Sequence, residues 1–282
     1  MPEYINKIRT SSGDLPVNYE ALANLPTISN PNLLINSDFR NPINQRGSTT
    51  LTTDNSDWNR FFFIDRWYIQ HGATAELKDG YVRLQASSST TEAFFSQPFE
   101  HSLVEGEYTT TINVKSVTGT VKVHGIQLVQ GVNIIHNSWE FERMDIRLLP
   151  SSTVELYWVK VEYGTTSTAF TPRLRSEELL MCKRYYQNYK DNRFAVLTQT
   201  YTTTTTTNGR FNLPIEMIDT PMISIYSLEV KNVNNGTTIS ITSSTGNAIS
   251  NDVVEISGVH ASTAVSQRYM YAKFSADAEI YG

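Results

Sequence analysis

The chain has 282 residues and a formal net charge of −5, and only 18 % of its residues are charged. Because a domain commonly takes about 100 to 200 residues, this length favours two domains. Acidic residues outnumber basic ones, which argues against nucleic acid as a partner. No window approaches the roughly 18 apolar residues of a membrane span, so no membrane insertion is expected either.

The composition predicts β-structure. Tyr occurs 15 times and Phe 12 times, beside many Thr, Ser and Asn residues. β-Branched and aromatic side chains fit a pleated, half-buried surface well. Cys182 is the single cysteine, so no internal disulfide can form, and stability must come from core packing or from other subunits. A free thiol suits assembly in a reducing cytoplasm.

Residues 1–31 are predicted to form an N-terminal arm. Prolines punctuate this segment, and its apolar residues show no sustained period. Leu22, Leu25 and Ile28 cannot all be covered by so short a segment. The arm is therefore expected to pack against another chain.

Residues 32–173 read as strands separated by turn clusters. Each run alternates apolar with polar residues and has the length of a strand. The clearest runs hold Val82, Leu84 and Ala86; Ile112 and Val114; Val121 and Val123; and Met144, Ile146 and Leu148. Within residues 153–163 the alternation changes phase, which predicts a bulge or a strand covered on both faces. Trp67 and Trp158 lie inside strand patterns and are predicted to be core residues.

Residues 176–189 are predicted to form one helix that joins the two domains. Ser176 can cap its first turn, and the acidic residues that follow suit the positive end of the helix dipole. One stripe at helical spacing is expected to be buried: Leu179, Cys182, Tyr186 and Tyr189.

Strands are predicted again after the helix, around 194–200, 222–230, 237–242, 252–257 and 268–280. Thr202–Thr207 with Asn208 and Gly209 is predicted to be an exposed hairpin connection, since Asn-Gly favours a type I′ turn. The expected fold is all-β. It comprises the arm (residues 1–31), a jelly-roll β-sandwich (32–173), a short linking helix (174–190) and a second small β-sandwich (191–282).

The sequence lacks the motifs of the common catalytic and metal sites. Its five histidines form no pair at a ligand spacing, which argues against zinc. There is no G-x-S-x-G elbow, no glycine-rich phosphate loop and no H-E-x-x-H motif. We therefore predict a protein that is not an enzyme and needs no cofactor.

Some carboxylates leave alternatives open. Asp54 with Asp57, or Glu140 with Glu142, could in principle act as a glycosidase pair, but solvated surface acids are the favoured interpretation. The turn of Asp54, Asn55 and Asp57 could also hold a weak calcium site, because calcium prefers oxygen ligands. Its spacing is not that of an EF-hand.

Two tryptophans in polar loops are candidate ligand-binding residues. Trp58 is flanked by Asp57 and Asn59, and Trp139 follows Asn137 and Ser138. A loop tryptophan can stack on a sugar ring while its polar neighbours hydrogen-bond the hydroxyl groups. The alternative, that each tryptophan closes one end of its sandwich, is favoured by how often tryptophan is buried.

An ordered set of motifs resembles one family. Asn32–Arg40 (NLLINSDFR), Asn44–Gly47 and Ile64–Trp67 are similar to the opening of a carbohydrate-binding-module-like sandwich found in bacteriophage tail, fibre and other virion appendage proteins. Val159–Gly164 and Thr168–Arg173 resemble its closing strand. The arm resembles the N-terminal attachment segments of phage fibres, and the helix and C-terminal part also resemble this group.

The resemblance implies a homotrimeric virion appendage that is assembled in the host bacterial cytoplasm and contacts a host-surface glycan. The arm would dock onto other virion structural proteins through Tyr19, Leu22, Leu25 and Ile28. Related sugar-binding sandwiches carry an acidic residue after the motif's Phe, where a structural calcium can bind. Here Arg40 takes that place, which puts calcium in doubt.

Two further functions stay open at this point. One is a structural collar or decoration subunit that binds only other virion proteins. The other is a glycan-degrading enzyme, which is disfavoured because the chain lacks the repetitive ladder of a β-helix. In either case Leu33–Ile35 and Val159–Tyr163 are expected to pair, which brings the arm and the helix to the same end of the sandwich.

Overall fold

The computed structural model describes residues 7–10, 13–16, 30–103, 106–138, 141–190, 194–199, 205–232, 236–261 and 268–279. Within these ranges the chain is antiparallel β-structure with one short helix, so the all-β, sandwich-like prediction is confirmed.

Part of the predicted arm forms a small hairpin. Strands β1 (Lys7–Thr10) and β2 (Gly13–Pro16) pair with each other in antiparallel fashion. The four residues predicted to dock the arm, Tyr19, Leu22, Leu25 and Ile28, lie outside the described residues. Their role stays a prediction.

Residues 50–163 form a sandwich of two six-stranded sheets. Its strands are β3 (Thr50–Thr52), β4 (Phe61–Ile64), β5 (Trp67–Gln70), β6 (Ala73–Lys78), β7 (Tyr81–Ala86), β8 (Ala93–Leu103), β9 (Tyr108–Thr118), β10 (Val121–Val123), β11 (Ile126–Gln127), β12 (Gly131–Asn137), β13 (Phe141–Leu148) and β14 (Thr153–Tyr163). We call the sheet of order β11-β10-β13-β8-β5-β4 the front sheet, and the sheet of order β12-β9-β14-β7-β6-β3 the back sheet.

The core of the sandwich lies between the two sheets, where the inward residues of each alternating strand meet. Trp67 is fully buried, as predicted. Its ring packs edge-on against Phe39, with the centroids 5.1 Å apart, and stacks on Phe95 at 4.7 Å. These aromatic contacts join the opening segment of the domain to the front sheet.

The predicted change of phase in β14 is confirmed. Its pairing with β9 shifts register on both sides of Leu156, so that Val159 follows Leu156 into the core. Trp158 is turned out of the core, and its half-buried ring stacks on Phe170 with the centroids 4.5 Å apart. The prediction that Trp158 is a core residue is wrong, because the bulge moves it to the outer face.

The opening segment runs beside β14, as expected. The amide of Leu33 donates to the carbonyl of Val161 at 2.8 Å, and the amide of Val159 donates to the carbonyl of Ser37 at 3.0 Å. The segment does not form a regular strand, because the side chain of Asn32 takes over part of the pairing. Its Oδ1 accepts from the Val161 amide and its Nδ2 donates to the Val159 carbonyl.

Helix α1 (Arg175–Lys183) is shorter than predicted. Leu174 occupies the N-cap position and makes no side-chain capping hydrogen bond, so the predicted cap at Ser176 is wrong. Ser176 instead lies inside the first turn. No helix in the described part of the chain is long and apolar enough to cross a membrane.

The second half of the predicted helix is a strand. β15 (Tyr186–Asn188) pairs with residues 275–277, so the helix ends at Lys183 although the helical spacing of apolar residues continues beyond it. Tyr186 and Tyr189 are buried, but not on a helical face. Tertiary strand pairing therefore overrode a segment with good helical periodicity.

The C-terminal strands are β16 (Phe194–Gln199), β17 (Thr206–Asn212), β18 (Met222–Asn232), β19 (Thr238–Ile239), β20 (Ile241–Ala248), β21 (Val253–His260) and β22 (Arg268–Asp277). With β15 paired to β22, they form one eight-stranded sheet of order β19-β18-β22-β16-β17-β21-β20. The sheet folds over so that β18 packs on β20, which makes a second small sandwich.

The Asn-Gly prediction in this part is wrong. Asn208 and Gly209 lie inside β17, where they pair with Gln199 and Thr198 of β16 and with Ser257 and Ile256 of β21. The connection between β16 and β17 precedes them. Paired on both sides, the dipeptide has no freedom to form a turn.

Gly246 lets the two layers of the C-terminal sandwich approach each other. A Cβ atom at this position would lie 2.5 Å from Cγ2 and 3.1 Å from Cβ of Ile223. Since a branched carbon next to the backbone cannot move away cheaply, we expect Gly246→Ala to lower the free energy of unfolding by about 1 to 3 kcal/mol. Urea unfolding measures this.

Gly258→Ala is the matched control for this prediction. Its Cβ would meet the Cδ2 of Leu228 at 2.9 Å, a flexible side-chain end that can rotate away. The destabilisation should therefore be clearly smaller than at Gly246. Equal losses at both positions would contradict the close-approach explanation.

A buried ionic cluster joins the first sandwich to the end of the last strand. Arg46 Nη1 lies 2.8 Å from Oδ2 of Asp277, and its Nη2 lies 2.6 Å from Oε2 of Glu279. Arg66 Nη1 lies 3.1 Å from Oε1 of the same Glu279. A tyrosine ring covers each guanidinium group, at 4.0 Å and 3.6 Å from the ring centroid. These contacts fix the C-terminal strand against the first sandwich.

Candidate functional site

Trp58 lies in the loop between β3 and β4, which are edge strands of the two sheets. The amide of Asp57 donates to the carbonyl of Asp54 at 3.2 Å, and the amide of His71 donates to the carbonyl of Asp57 at 3.0 Å. Nε2 of Gln70 donates to the carbonyl of Trp58. These bonds tie the loop to the end of β5. Trp58 is 58 % exposed, so it does not close the end of the sandwich.

One face of the Trp58 ring is occupied by His71. The two rings stack with centroids 4.0 Å apart and an angle of 20° between planes, and Phe94 follows at 6.1 Å from Trp58. Nδ1 of His71 lies 2.6 Å from the carbonyl oxygen of Glu92, so it carries the proton in that bond. The adjacent Gly72 has φ +75°, and a Cβ there would lie 2.2 Å from a side-chain oxygen. The turn that positions His71 therefore requires glycine.

A row of side chains continues from Phe94 across the front sheet. Gln70 of β5, Phe94 of β8, Arg147 of β13 and Lys122 of β10 are successive cross-strand partners. They point outward, because their sequence neighbours on each strand fill the core. Three strand spacings of roughly 4.8 Å give this row a length of about 14 Å.

A cleft of about 260 Å³ opens over this row. It is lined by Phe94, Lys122, His124, Gly125, Arg143, Asp145 and Arg147. We call this surface, together with Trp58 and His71 at its rim, the front face.

Most charges in the cleft are paired. Nε of Arg143 lies 2.9 Å from both carboxylate oxygens of Asp145, and Arg147 contacts the carboxylate of Glu92. Lys122 has no ion pair within the described ranges of the chain, and it stands directly opposite Arg147 in the strand pairing. Three cationic side chains thus face two carboxylates.

His124 forms one wall of the cleft in a tight turn. His124 and Gly125 join β10 to β11 with φ values of 49° and 81°, the type I′ geometry of a two-residue hairpin. Burial lowers the pKa of His124, and the nearby Asp145 opposes that shift. Burial of the ring therefore favours its uncharged form.

The structure gathers only some of the predicted ligand-binding residues. Asp57, Trp58 and Asn59 lie together, and the amide of the exposed Asn59 donates to Oδ1 of Asp57 at 2.9 Å. Asn137 ends β12, which is the edge of the back sheet farthest from β3. Trp139 lies outside the described residues. Asn137 is therefore not part of the front face.

The sequence interpretation missed the residues of the cleft itself. The alternation of β13 places Arg143, Asp145 and Arg147 on the face opposite the buried Met144 and Ile146. That signal was readable in the sequence. What could not be read was that β8 and β10 flank β13 and bring Phe94 and Lys122 beside these residues.

The described residues contain no group of three or more His, Cys, Asp or Glu that could hold a metal ion. In the oxygen-rich turn, Oδ1 of Asp57 is engaged with the Asn59 amide. Arg40, the residue that put calcium binding in doubt, pairs with Asp38 at 2.7 Å. Glu140, a member of one carboxylate pair considered above, lies outside the described residues.

No protein-family model matches the chain, and no curated protein does either. Among solved structures, the chain is similar to native recombinant discoidin II and to wild-type discoidin II, both of Dictyostelium discoideum. Each is 9 % identical to this chain and has a TM-score of 0.19. The match covers 70 % of this chain in both cases, and it covers 82 % of the native recombinant chain and 81 % of the wild-type chain. At so low a TM-score, the function has to be argued from the residues of this chain.

Proposed function

We propose that the front face binds a glycan. The observation that carries this proposal is Trp58, a large aromatic ring held 58 % exposed at the rim of a polar cleft. The loop bonds described above hold the backbone of this residue in place before any ligand arrives. A sugar can cover such a ring with its C–H face.

The rest of the front face suits a polar, hydroxyl-rich ligand. Phe94 offers a second apolar surface next to Trp58, while Arg143, Asp145 and Arg147 offer donors and acceptors along the cleft. An apolar platform with a few convergent polar groups is the usual composition of a small-ligand site. The row is long enough for a short oligosaccharide rather than a single sugar.

Trp58→Ala should weaken binding with little effect on folding. We expect a loss of about tenfold in affinity for any glycan that the wild-type protein binds, because one aromatic stacking contact is removed. A glycan array of bacterial surface polysaccharides identifies the ligand, and calorimetry measures the affinity. The melting temperature should hardly change, since most of the ring is exposed.

Tyr226→Ala is the matched control. Tyr226 is 48 % exposed, but it lies on β18 of the C-terminal sandwich. Its loss should leave glycan binding unchanged. If wild-type protein binds no glycan, or if both variants bind alike, the proposed site is wrong, and a subunit that binds only other proteins becomes the better explanation.

We further propose that the chain acts as a homotrimeric, non-enzymatic appendage of a bacteriophage particle, with the arm docked on other virion proteins. The ordered motifs from Asn32 to Arg173 support this setting. Light scattering of the purified protein should give the mass of three chains. Antibodies against the C-terminal sandwich should label intact virions. A monomer at micromolar concentration would contradict the trimer.

A further inference from the structure

We propose that the cleft of the front face takes a negatively charged sugar, a uronic acid or another sugar that bears a carboxylate, with Lys122 as the group that meets the carboxylate. This inference rests on the proposed glycan-binding function and names the class of ligand for the same site. It is carried by the arrangement of charges on β10 and β13.

The first argument is the unpaired cation. Arg143 and Arg147 each have a carboxylate partner, whereas Lys122 has none in the described part of the chain. It is nevertheless half-buried between Val121 and Val123, which fill the core. A cation that lines a cleft and lacks a carboxylate partner there is attracted to an anionic ligand.

The second argument is the like-charge pair. Lys122 and Arg147 are direct cross-strand neighbours, and like charges at such positions destabilise a sheet. The Glu92 carboxylate pairs with Arg147 and not with Lys122. A ligand carboxylate placed over the row would remove the repulsion and give Lys122 a partner.

The third argument concerns the kind of anion. The cleft also contains Asp145, and Glu92 lies at its edge, so a polyanion with closely spaced phosphates would be repelled. A sugar with one carboxylate fits better. Its hydroxyl groups can donate to Asp145 while its carboxylate accepts from Lys122, and its apolar face can lie on Phe94.

Preorganisation supports the same assignment. The type I′ turn of His124 and Gly125 fixes the wall next to Lys122, and cross-strand pairing fixes the floor. A ligand would therefore meet groups that are already in position.

The test compares one oligosaccharide in two forms. Oligogalacturonate serves as the acidic probe, and the same oligosaccharide with its carboxyl groups reduced serves as the neutral probe. Wild-type protein should bind the acidic form about tenfold more tightly, and the difference should shrink as salt is added. Lys122→Gln should abolish the difference and leave binding of the neutral form unchanged, while Lys122→Arg should retain most of it.

Lys78→Gln is the matched control, since Lys78 lies on the back sheet and pairs with Glu76 at 3.2 Å. It should bind both probes as the wild type does, and the melting curves of all variants should coincide. This inference would be overturned if the wild type bound both probes equally and Trp58→Ala, but not Lys122→Gln, weakened that binding. The glycan-binding proposal would then still stand. Binding of neither probe, with no other glycan bound on the array, would remove both.

Discussion

Replacing Arg46 by Met should lower the free energy of unfolding by about 3 to 5 kcal/mol, the usual loss when one partner of a buried charge pair is removed. Arg46 neutralises two carboxylates at once, those of Asp277 and Glu279, and its side chain is almost fully buried. Without it, Arg66 alone would face the buried Glu279 carboxylate, and Asp277 would lose its contacts with the Arg46 guanidinium. Chemical unfolding with a global two-state fit measures the loss.

The control for this variant is an exposed ion pair. Arg210 and Glu255 lie on adjacent strands with 3.1 Å between Nε and Oε2, and the Arg210 side chain is 51 % exposed. Arg210→Met should cost less than about 1 kcal/mol, because water screens the pair. Adding Asp277→Asn to Arg46→Met should restore part of the stability. A loss at Arg46 as small as that at Arg210 would mean that the cluster is not desolvated in solution.

Stability should fall as the pH rises from 5 to 8, and Asp65 should account for a large part of the fall. Burial raises the pKa of Asp65 to about 7 in the folded chain, opposed by hydrogen bonds from Gln45 and by the charge of Arg46. A folded pKa above the unfolded value near 4 means that the folded state holds its proton more tightly. The resulting stabilisation is full below the unfolded pKa and is lost as the pH passes the folded pKa.

Asp65→Asn isolates this contribution, since the amide cannot titrate. Over the range from pH 5 to pH 8, the difference in unfolding free energy between wild type and variant should change by about 2 to 3 kcal/mol in favour of the variant. The variant should be less stable at pH 5, because both carboxyl oxygens of Asp65 accept hydrogen bonds from Gln45, at 3.1 Å and 2.8 Å, and an asparagine has only one oxygen to accept them. Parallel pH profiles for the two proteins would show that Asp65 stays ionised throughout.

Local patterns predicted most strands but not every element. The alternation of Met144, Ile146 and Leu148 is enough to define β13 and its buried face, because a period of two is a property of the strand itself. The segment from Tyr186 to Tyr189 has helical spacing, and it became a strand because the edge of β22 was available to pair with it. Asn208 and Gly209 failed as a turn for the same reason, since neighbours on both sides paired with them.

The candidate site shows the same division. Trp58 was identified from its polar neighbours, and the structure places it with an exposed ring. His71, Phe94 and Lys122 carry no comparable local signal. Their proximity follows from the order of strands in the front sheet. β5 and β8 are neighbours in this sheet although β6 and β7, which lie between them in the sequence, belong to the back sheet. β13 lies between β8 and β10 in the front sheet.

The sequence by itself therefore determined the fold class, most of the strands and the change of phase in β14, and it marked Trp58 as a candidate while leaving its exposure open. These features depend on residues within a few positions of each other, where side-chain period and turn chemistry act directly. Only the tertiary structure decided the order of strands in each sheet, the end of the helix, the ionic cluster around Arg46 and the composition of the front face. Those features join residues far apart in the chain, and which of them meet is settled by how the sheets bury their apolar faces together.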